Sequence, residues 1–322
     1  MKSGSFTVQG LIIKVLCESH LYSLVSSYLT SLCEGEHHPK TKPLELEISV
    51  VETPRTIPRD SIQAIKRPSI TSFLKGNDIY FTSTDGSLIY LDPINRKSKI
   101  FLTKKILKDT MMLFSLLGGF IVEALKYNGL HFLHAAALQS NGVRLLISGD
   151  GGCGKTTTSL SLVRAGFKYV SDDSLFFEEQ HGEIRVSPFY SAFHIDHDLS
   201  ERFPELTSGH ERTIPKGIKI AIDPSQKYPG SFIPLLRPNV IIFPKITSKQ
   251  KSTLRPIGQM EVCNRLLTQI ILAADKEVSR NQLESLQKLV SQTVGFELLS
   301  GRDVYEDPYK LIDLIGSVNG KK

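Results

Sequence analysis

The run Gly149-Asp150-Gly151-Gly152-Cys153-Gly154-Lys155-Thr156 fits the pattern G-x-x-x-x-G-K-[ST], and its setting restricts the fold more than any other stretch. An apolar, strand-like segment (143–148) leads into it, and a helical segment from Thr156 to Ala165, closed by Gly166, leads out. Strand, glycine-rich turn and helix in that order make a phosphate cradle. Glycines let the backbone curl so that N–H groups face phosphate oxygens. The helix N-terminus adds the positive end of its dipole. Lys155 can reach the β- and γ-phosphates, and the Thr156 hydroxyl can ligate Mg²⁺. The pattern predicts an α/β unit that binds a nucleoside triphosphate with Mg²⁺, contacted by residues 149–156 and Thr157.

Composition narrows the class. The chain has 322 residues, enough for one large or two ordinary domains. Its net charge of +6 is spread evenly, with 12 basic against 10 acidic residues in 1–103 and 27 against 23 beyond. With no basic arm or stripe, nucleic-acid binding is not expected. Cys17, Cys33, Cys153 and Cys263 stand far apart without a C-x-x-C pair, which fits reduced thiols in the cytoplasm. No signal peptide is expected at the start of the chain. The most apolar stretch, Met111 to Val122, is too short for a span of about 20 residues and predicts a buried helix.

The composition divides the chain near residue 103. Residues 1–103 predict a small α+β domain suited to acceptor recognition or assembly. It should hold a strand from Phe6 to Leu16, a helix from Leu21 to Cys33, and a strand from Leu44 to Val51. Three short strands follow, Asp78 to Ser83, Ser87 to Asp92 and Lys99 to Thr103. His37 and His38 have no acidic partners at metal spacing and read as solvated loop. Residues 104–322 predict the catalytic domain, entered by a helix from Leu102 to Tyr127. A hairpin then runs from His131 through the turn Ser140-Asn141-Gly142 to the phosphate loop. Beyond it, helices are expected over Gly258 to Leu272, Ser279 to Thr293 and Tyr309 to Ile315.

After the loop helix, Phe167 to Ser171 reads as a strand ending at Asp172-Asp173. Carboxylates at a strand's C-terminal end lie where α/β sheets bind ligands. One can ligate Mg²⁺ and the other can accept the proton of an attacking hydroxyl. A solvated turn is the plainer reading of the same pair.

His134-Ala-Ala-Ala, the phosphate loop and Arg164-Ala-Gly-Phe-Lys-Tyr-Val-Ser-Asp172-Asp173 together resemble the catalytic domain of HPr kinase/phosphorylase and its relatives. The family motif runs His, hairpin, Gly-Asp-Ser-Gly-x-Gly-Lys-Ser, helix, Arg-Gly-x-x-x-x-x-Asp-Asp. His134 precedes Gly149 by 15 positions and Asp172 follows Lys155 by 17, as the family spacing requires. The likeness is specific over about residues 131–175 and weaker around 238–244 and 296–308. It implies a P-loop kinase fold, ATP and Mg²⁺, and a hydroxyl-bearing peptide or protein acceptor. It further implies Asp172 as general base held by His134, Lys155 and Thr156 as phosphate and metal contacts, and Asp173 as the second metal-side carboxylate. Relatives of this type are often hexameric, which implies a homo-oligomer.

The signature Glu-x-Arg-Gly-x-Gly-Ile of the bifunctional enzymes is absent from the sequence. The resemblance therefore points to relatives that phosphorylate other hydroxyls, such as lasso-peptide tailoring kinases and kinases of free serine. A nucleotide-binding switch without an acceptor is the alternative from another class. Two further groups stand out. His194, Asp196 and Asp198 would share one face of a strand, with His197 opposite, and read either as a metal-side cluster or as a solvated strand end. Lys216 and Lys219, with Arg237 and Arg302 as weaker candidates, could offset charge on a transferring phosphoryl or lie on the surface.

Overall fold

The computed structural model describes residues 1–32, 42–66, 69–190, 192–206, 210–214 and 217–319. Cys33, His37, His38 and Lys216 lie outside the described residues, and the side chains of His197 and Lys219 are likewise not described. The architecture is mixed α/β, in two compact units.

The first unit comprises Met1–Leu130 and Leu272–Gln282. Its strands are β1 (Lys2–Val8), β2 (Leu11–Cys17), β3 (Leu44–Val51), β4 (Ile62–Lys66), β5 (Ile70–Lys75), β6 (Asp78–Ser83), β7 (Leu88–Asp92) and β8 (Lys97–Thr103). They form one sheet in the order β1-β2-β3-β8-β7-β6-β5-β4, with β2, β3 and β8 mutually parallel in adjacent pairs. Helices α1 (Ser19–Thr30) and α2 (Thr110–Lys126) pack together, the Tyr28 ring stacking on Phe114 at 4.6 Å.

The single strand expected from Phe6 to Leu16 is a hairpin. Gln9 and Gly10 both take positive φ, 50° and 79°, a two-residue turn that matches the twist of the flanking strands. The helix expected from Leu102 starts eight residues later, because β8 runs through Thr103 and Asp109 caps α2 by accepting from the Met112 N–H. The stretch Met111 to Val122 is helical, and no described helix is long and apolar enough to cross a membrane. α2, which the sequence places in the second domain, groups with the first unit, and so does the return segment 272–282. Lys126 and Glu123 on α2 form a buried ion pair at 2.6 Å. Lys126 also donates to the Leu272 carbonyl, and Glu123 accepts from the Ala274 N–H. Burying two charges is tolerable only with such added hydrogen bonds, and these bonds tie the segment to α2.

The second unit comprises His131–Ile271 and Leu283–Lys322. Its strands are β9 (His131–Leu133), β10 (Ala135–Ser140), β11 (Val143–Ser148), β12 (Lys168–Ser171), β13 (Leu175–Gln180), β14 (Glu183–Pro188), β15 (Phe193–Ile195), β16 (His210–Ile214), β17 (Gly217–Ile222), β18 (Val240–Ile246), β19 (Thr253–Ile257) and β20 (Val294–Ser300). The central sheet has the order β12-β10-β11-β18-β20-β19, with β11, β18 and β20 parallel. Two three-stranded sheets, β14-β13-β9 and β15-β17-β16, complete it. The helices are α3 (Lys155–Arg164), α4 (His197–Arg202), α5 (Pro224–Lys227), α6 (Gln259–Leu267), α7 (Lys276–Ser291, begun in the first unit), α8 (Asp303–Glu306) and α9 (Pro308–Asn319).

Strand alternation builds two cores, one on each face of the central sheet. Val143, Leu145 and Ile147 of β11 and Val240 and Ile242 of β18 pack with Leu160 and Val163 of α3 and with Leu311 and Ile315 of α9. Leu146 of β11 and Ile241 and Phe243 of β18 face the other way, toward Leu175 and Phe177 of β13, Val262 and Leu266 of α6 and Leu286 and Leu289 of α7. Covered on both faces, these strands read as nearly unbroken apolar runs. The same burial fixes their register, because a slip of one residue would exchange the faces.

Candidate active site

The phosphate loop crosses from β11 to α3 through three glycines at positive φ: Gly149 at 146°, Gly152 at 84° and Gly154 at 100°. Gly154 is the cap residue of α3, in the left-handed conformation that a side chain disfavours. At Gly149 a Cβ would also come within 3.1 Å of the Cys153 sulfur. The loop thus keeps a backbone cradle open at the helix N-terminus. Lys155 is buried, and its Nζ donates to the Gly149 carbonyl at 2.7 Å and the Asp150 carbonyl at 3.2 Å, which holds the charge over the loop. Burial pushes the Cys153 thiol above its ordinary range, against the opposing pull of Lys155. That keeps it protonated at neutral pH.

Asp172 and Asp173 follow β12 and live in different surroundings. Asp172 is 1% exposed, and the Thr156 hydroxyl lies 3.4 Å from its Oδ2, with the His194 N–H at 3.5 Å. Asp173 is 45% exposed at its side chain, and its Oδ1 lies 3.2 Å from His134 Nδ1. The same nitrogen is 3.0 Å from the Asp173 carbonyl. A carbonyl only accepts, so Nδ1 carries the hydrogen and donates. The sequence reading joins His134 to Asp172; the structure joins it to Asp173.

His134 itself sits at the break between β9 and β10. Its N–H donates to the Gln269 carbonyl at 2.9 Å, and its carbonyl accepts from the Ser148 hydroxyl at 3.1 Å. Gln269 Nε2 also donates to Asp150 Oδ1 at 2.9 Å, and Leu133 bridges Ile270. One short segment after α6 therefore braces both the histidine and the phosphate loop. Sequence reasoning misses Gln269, since it lies 119 positions from Asp150 and no local motif marks it.

The cluster expected at His194, Asp196 and Asp198 is not formed as a shared strand face, because β15 ends at Ile195 and Asp198 belongs to α4. Among the described residues no group of three or more His, Cys, Asp or Glu side chains could hold a metal. Mg²⁺ does not need one. It is held by one or two protein oxygens together with substrate phosphates and water, and the Thr156 hydroxyl with the Asp172 carboxylate is a donor set of that kind. Arg237 is paired with Glu183 at 2.8 Å, a tie at the surface. The Arg302 N–H donates to the Lys249 carbonyl, at the C-terminal end of β20.

No protein-family model matches the chain. HPr kinase/phosphorylase of Clostridium perfringens is 34% identical over 77 residues, which cover 24% of this chain and 20% of that protein. The protein of the same name from Clostridium novyi is 33% identical over 61 residues, 19% of this chain and 20% of that protein. The chain thus spans about a fifth of the length of the curated relatives it matches. Among solved structures, the Hpr(Ser) kinase/phosphatase from Coxiella burnetii aligns over 59% of this chain and 97% of that chain, at 15% identity and a TM-score of 0.32. Over the matched stretch, the chain is HPr kinase-like.

Proposed function

We propose that the protein is a kinase that moves the γ-phosphoryl of ATP to a serine-type hydroxyl of a peptide or protein. The observation that carries this reading is the meeting of two differently held carboxylates at one phosphate loop: Asp172 on Thr156, and Asp173 on His134. The names of the relatives, kinases that act on HPr, favour a phosphoryl acceptor over a binding switch.

The surroundings favour a division of labour opposite to the one the resemblance implies. Asp172, buried against the Thr156 hydroxyl, is suited to the metal side. Asp173, half exposed and oriented by His134, is suited to receive an acceptor and its proton. Thr156 and Asp172 are the residues that would hold Mg²⁺, whose bound charge offsets the charge on the transferring phosphoryl. Asp173 takes the proton of the acceptor hydroxyl as that oxygen bonds to the γ-phosphorus and the bond from phosphorus to the bridging β,γ-oxygen breaks. Lys155 offsets charge on the β- and γ-oxygens, and the loop N–H groups hold the phosphates in line. The Nδ1–H of His134 keeps the Asp173 carboxylate aimed.

The test is incubation of the protein with γ-labelled ATP and Mg²⁺ in an extract of its source cells, followed by separation of proteins, peptides and small molecules. Alkali-labile label on serine in the protein or peptide fraction is the expected result. Label in a small molecule alone would replace the peptide acceptor with a metabolite. Bound ATP without any labelled product would replace the kinase with a nucleotide switch.

A further inference from the structure

The end of β18 presents an apolar side chain that phosphoryl transfer itself does not use. Asp172 and Asp173 follow β12, two strands to one side of β11, and β18 and β20 lie on the other side. A nucleoside triphosphate laid extended across the strand ends with its γ-phosphate toward the carboxylates runs its α-phosphate and nucleoside the opposite way. That direction leads over the C-terminal ends of β18 and β20, where parallel sheets bind ligands.

Ile246 is the last residue of β18 and is 55% exposed. It pairs in register with Ser300, the last residue of β20. Alternation puts it on the face of Val240 and Ile242, which pack in the core with α3. A Cβ at Gly154 would lie 3.5 Å from Ile246 Cγ1, so this side chain borders the phosphate loop itself. Beside it the buried Ser300 hydroxyl has no hydrogen-bond partner. An isoleucine left in water at the rim of a polar loop forgoes the gain from burial, and a flat, weakly polar surface laid on it would recover that gain.

Given the triphosphate site proposed above, we infer that Ile246 is the platform on which the purine face of the nucleotide rests, and so sets the affinity for the nucleoside half of the donor. The probes are ATP and inorganic tripolyphosphate, which has the phosphates without the base, titrated calorimetrically into the full chain with Mg²⁺. Ile246→Ala should weaken ATP about five- to tenfold, the loss expected for part of one aliphatic side chain, and leave tripolyphosphate unchanged. Ile246→Leu, which keeps the apolar area, should retain most of the ATP affinity. Equal weakening of both probes would make Ile246 a shaper of the loop and overturn the inference, as would no change in either. A wild-type chain that binds neither probe would remove the triphosphate site itself, a failure visible before any variant is made.

Discussion

At the scale of single residues, Lys155 is the side chain whose proposed role rests most directly on the motif. The motif assigns it to phosphate, and its Nζ is held over the loop carbonyls at Gly149 and Asp150. Hydrogen bonds to charged groups are worth about 1.5–3 kcal/mol, so Lys155→Ala should weaken ATP roughly ten- to a hundredfold in a direct titration. Unchanged affinity would end its phosphate role. The placement of the loop between β11 and α3, and of the Asp pair after β12, was legible because each lies within a local motif of fixed spacing. The partnership inside the Asp pair was not. Neighbours in sequence at a strand end point to opposite sides, and which of them meets His134 depends on the break between β9 and β10. Gln269 was invisible for a plainer reason, since its contacts with Asp150 and His134 join segments more than a hundred residues apart.

At the scale of elements, legibility followed burial. β3 and β6 alternate against a core and β11 is a nearly unbroken apolar run, and these patterns stand in the sequence. β4, with four of its five residues exposed, has no such alternation, and neither it nor its partner β5 was expected. The Gln9-Gly10 turn was missed because Gln is an uncommon residue at positive φ, so a continuous strand is the simpler reading. The start of α2 was misplaced because the apolar residues of β8 and of the 3₁₀ turn at Ile106–Lys108 merge with those of the helix. Asp109 marks the true start. Asp109→Ala removes the acceptor for the Met112 N–H and should cost about 1 kcal/mol, read as a lower urea midpoint at unchanged slope. Asp109→Ser should restore most of it. A midpoint unmoved in Asp109→Ala would show that the cap is immaterial to α2.

At the scale of the molecule, charge pairing across the second unit makes stability depend on pH. Glu297 on β20 accepts from Arg265 of α6 at 2.9 Å and is paired with Arg255 of β19 at 3.0 Å. The hydrogen bond from Arg265 is the main cause that holds its carboxyl below the ordinary 4.5. A carboxyl with a lower pKa in the folded chain stabilises it fully above the unfolded value, and the contribution fades as pH falls through the folded value. Acid unfolding below about pH 4.5 should therefore be shallower in Glu297→Gln than in the wild type. Parallel acid limbs would show that Glu297 does not couple folding to protons. The return of residues 272–282 to α2 was not legible, because it rests on the buried Glu123–Lys126 pair meeting backbone far along the chain. The central claim is that phosphoryl transfer uses both carboxylates in different roles, and the most direct measurement compares Asp173→Asn with Asp172→Asn in the labelled-ATP transfer assay across a range of Mg²⁺. Loss of a general base costs about a hundredfold or more, so Asp173→Asn should lose transfer at every Mg²⁺ concentration while still binding ATP. Asp172→Asn should shift the Mg²⁺ requirement upward and regain activity as Mg²⁺ is raised. Full transfer by Asp173→Asn, or loss in Asp172→Asn that no Mg²⁺ relieves while Asp173→Asn stays active, would contradict the account.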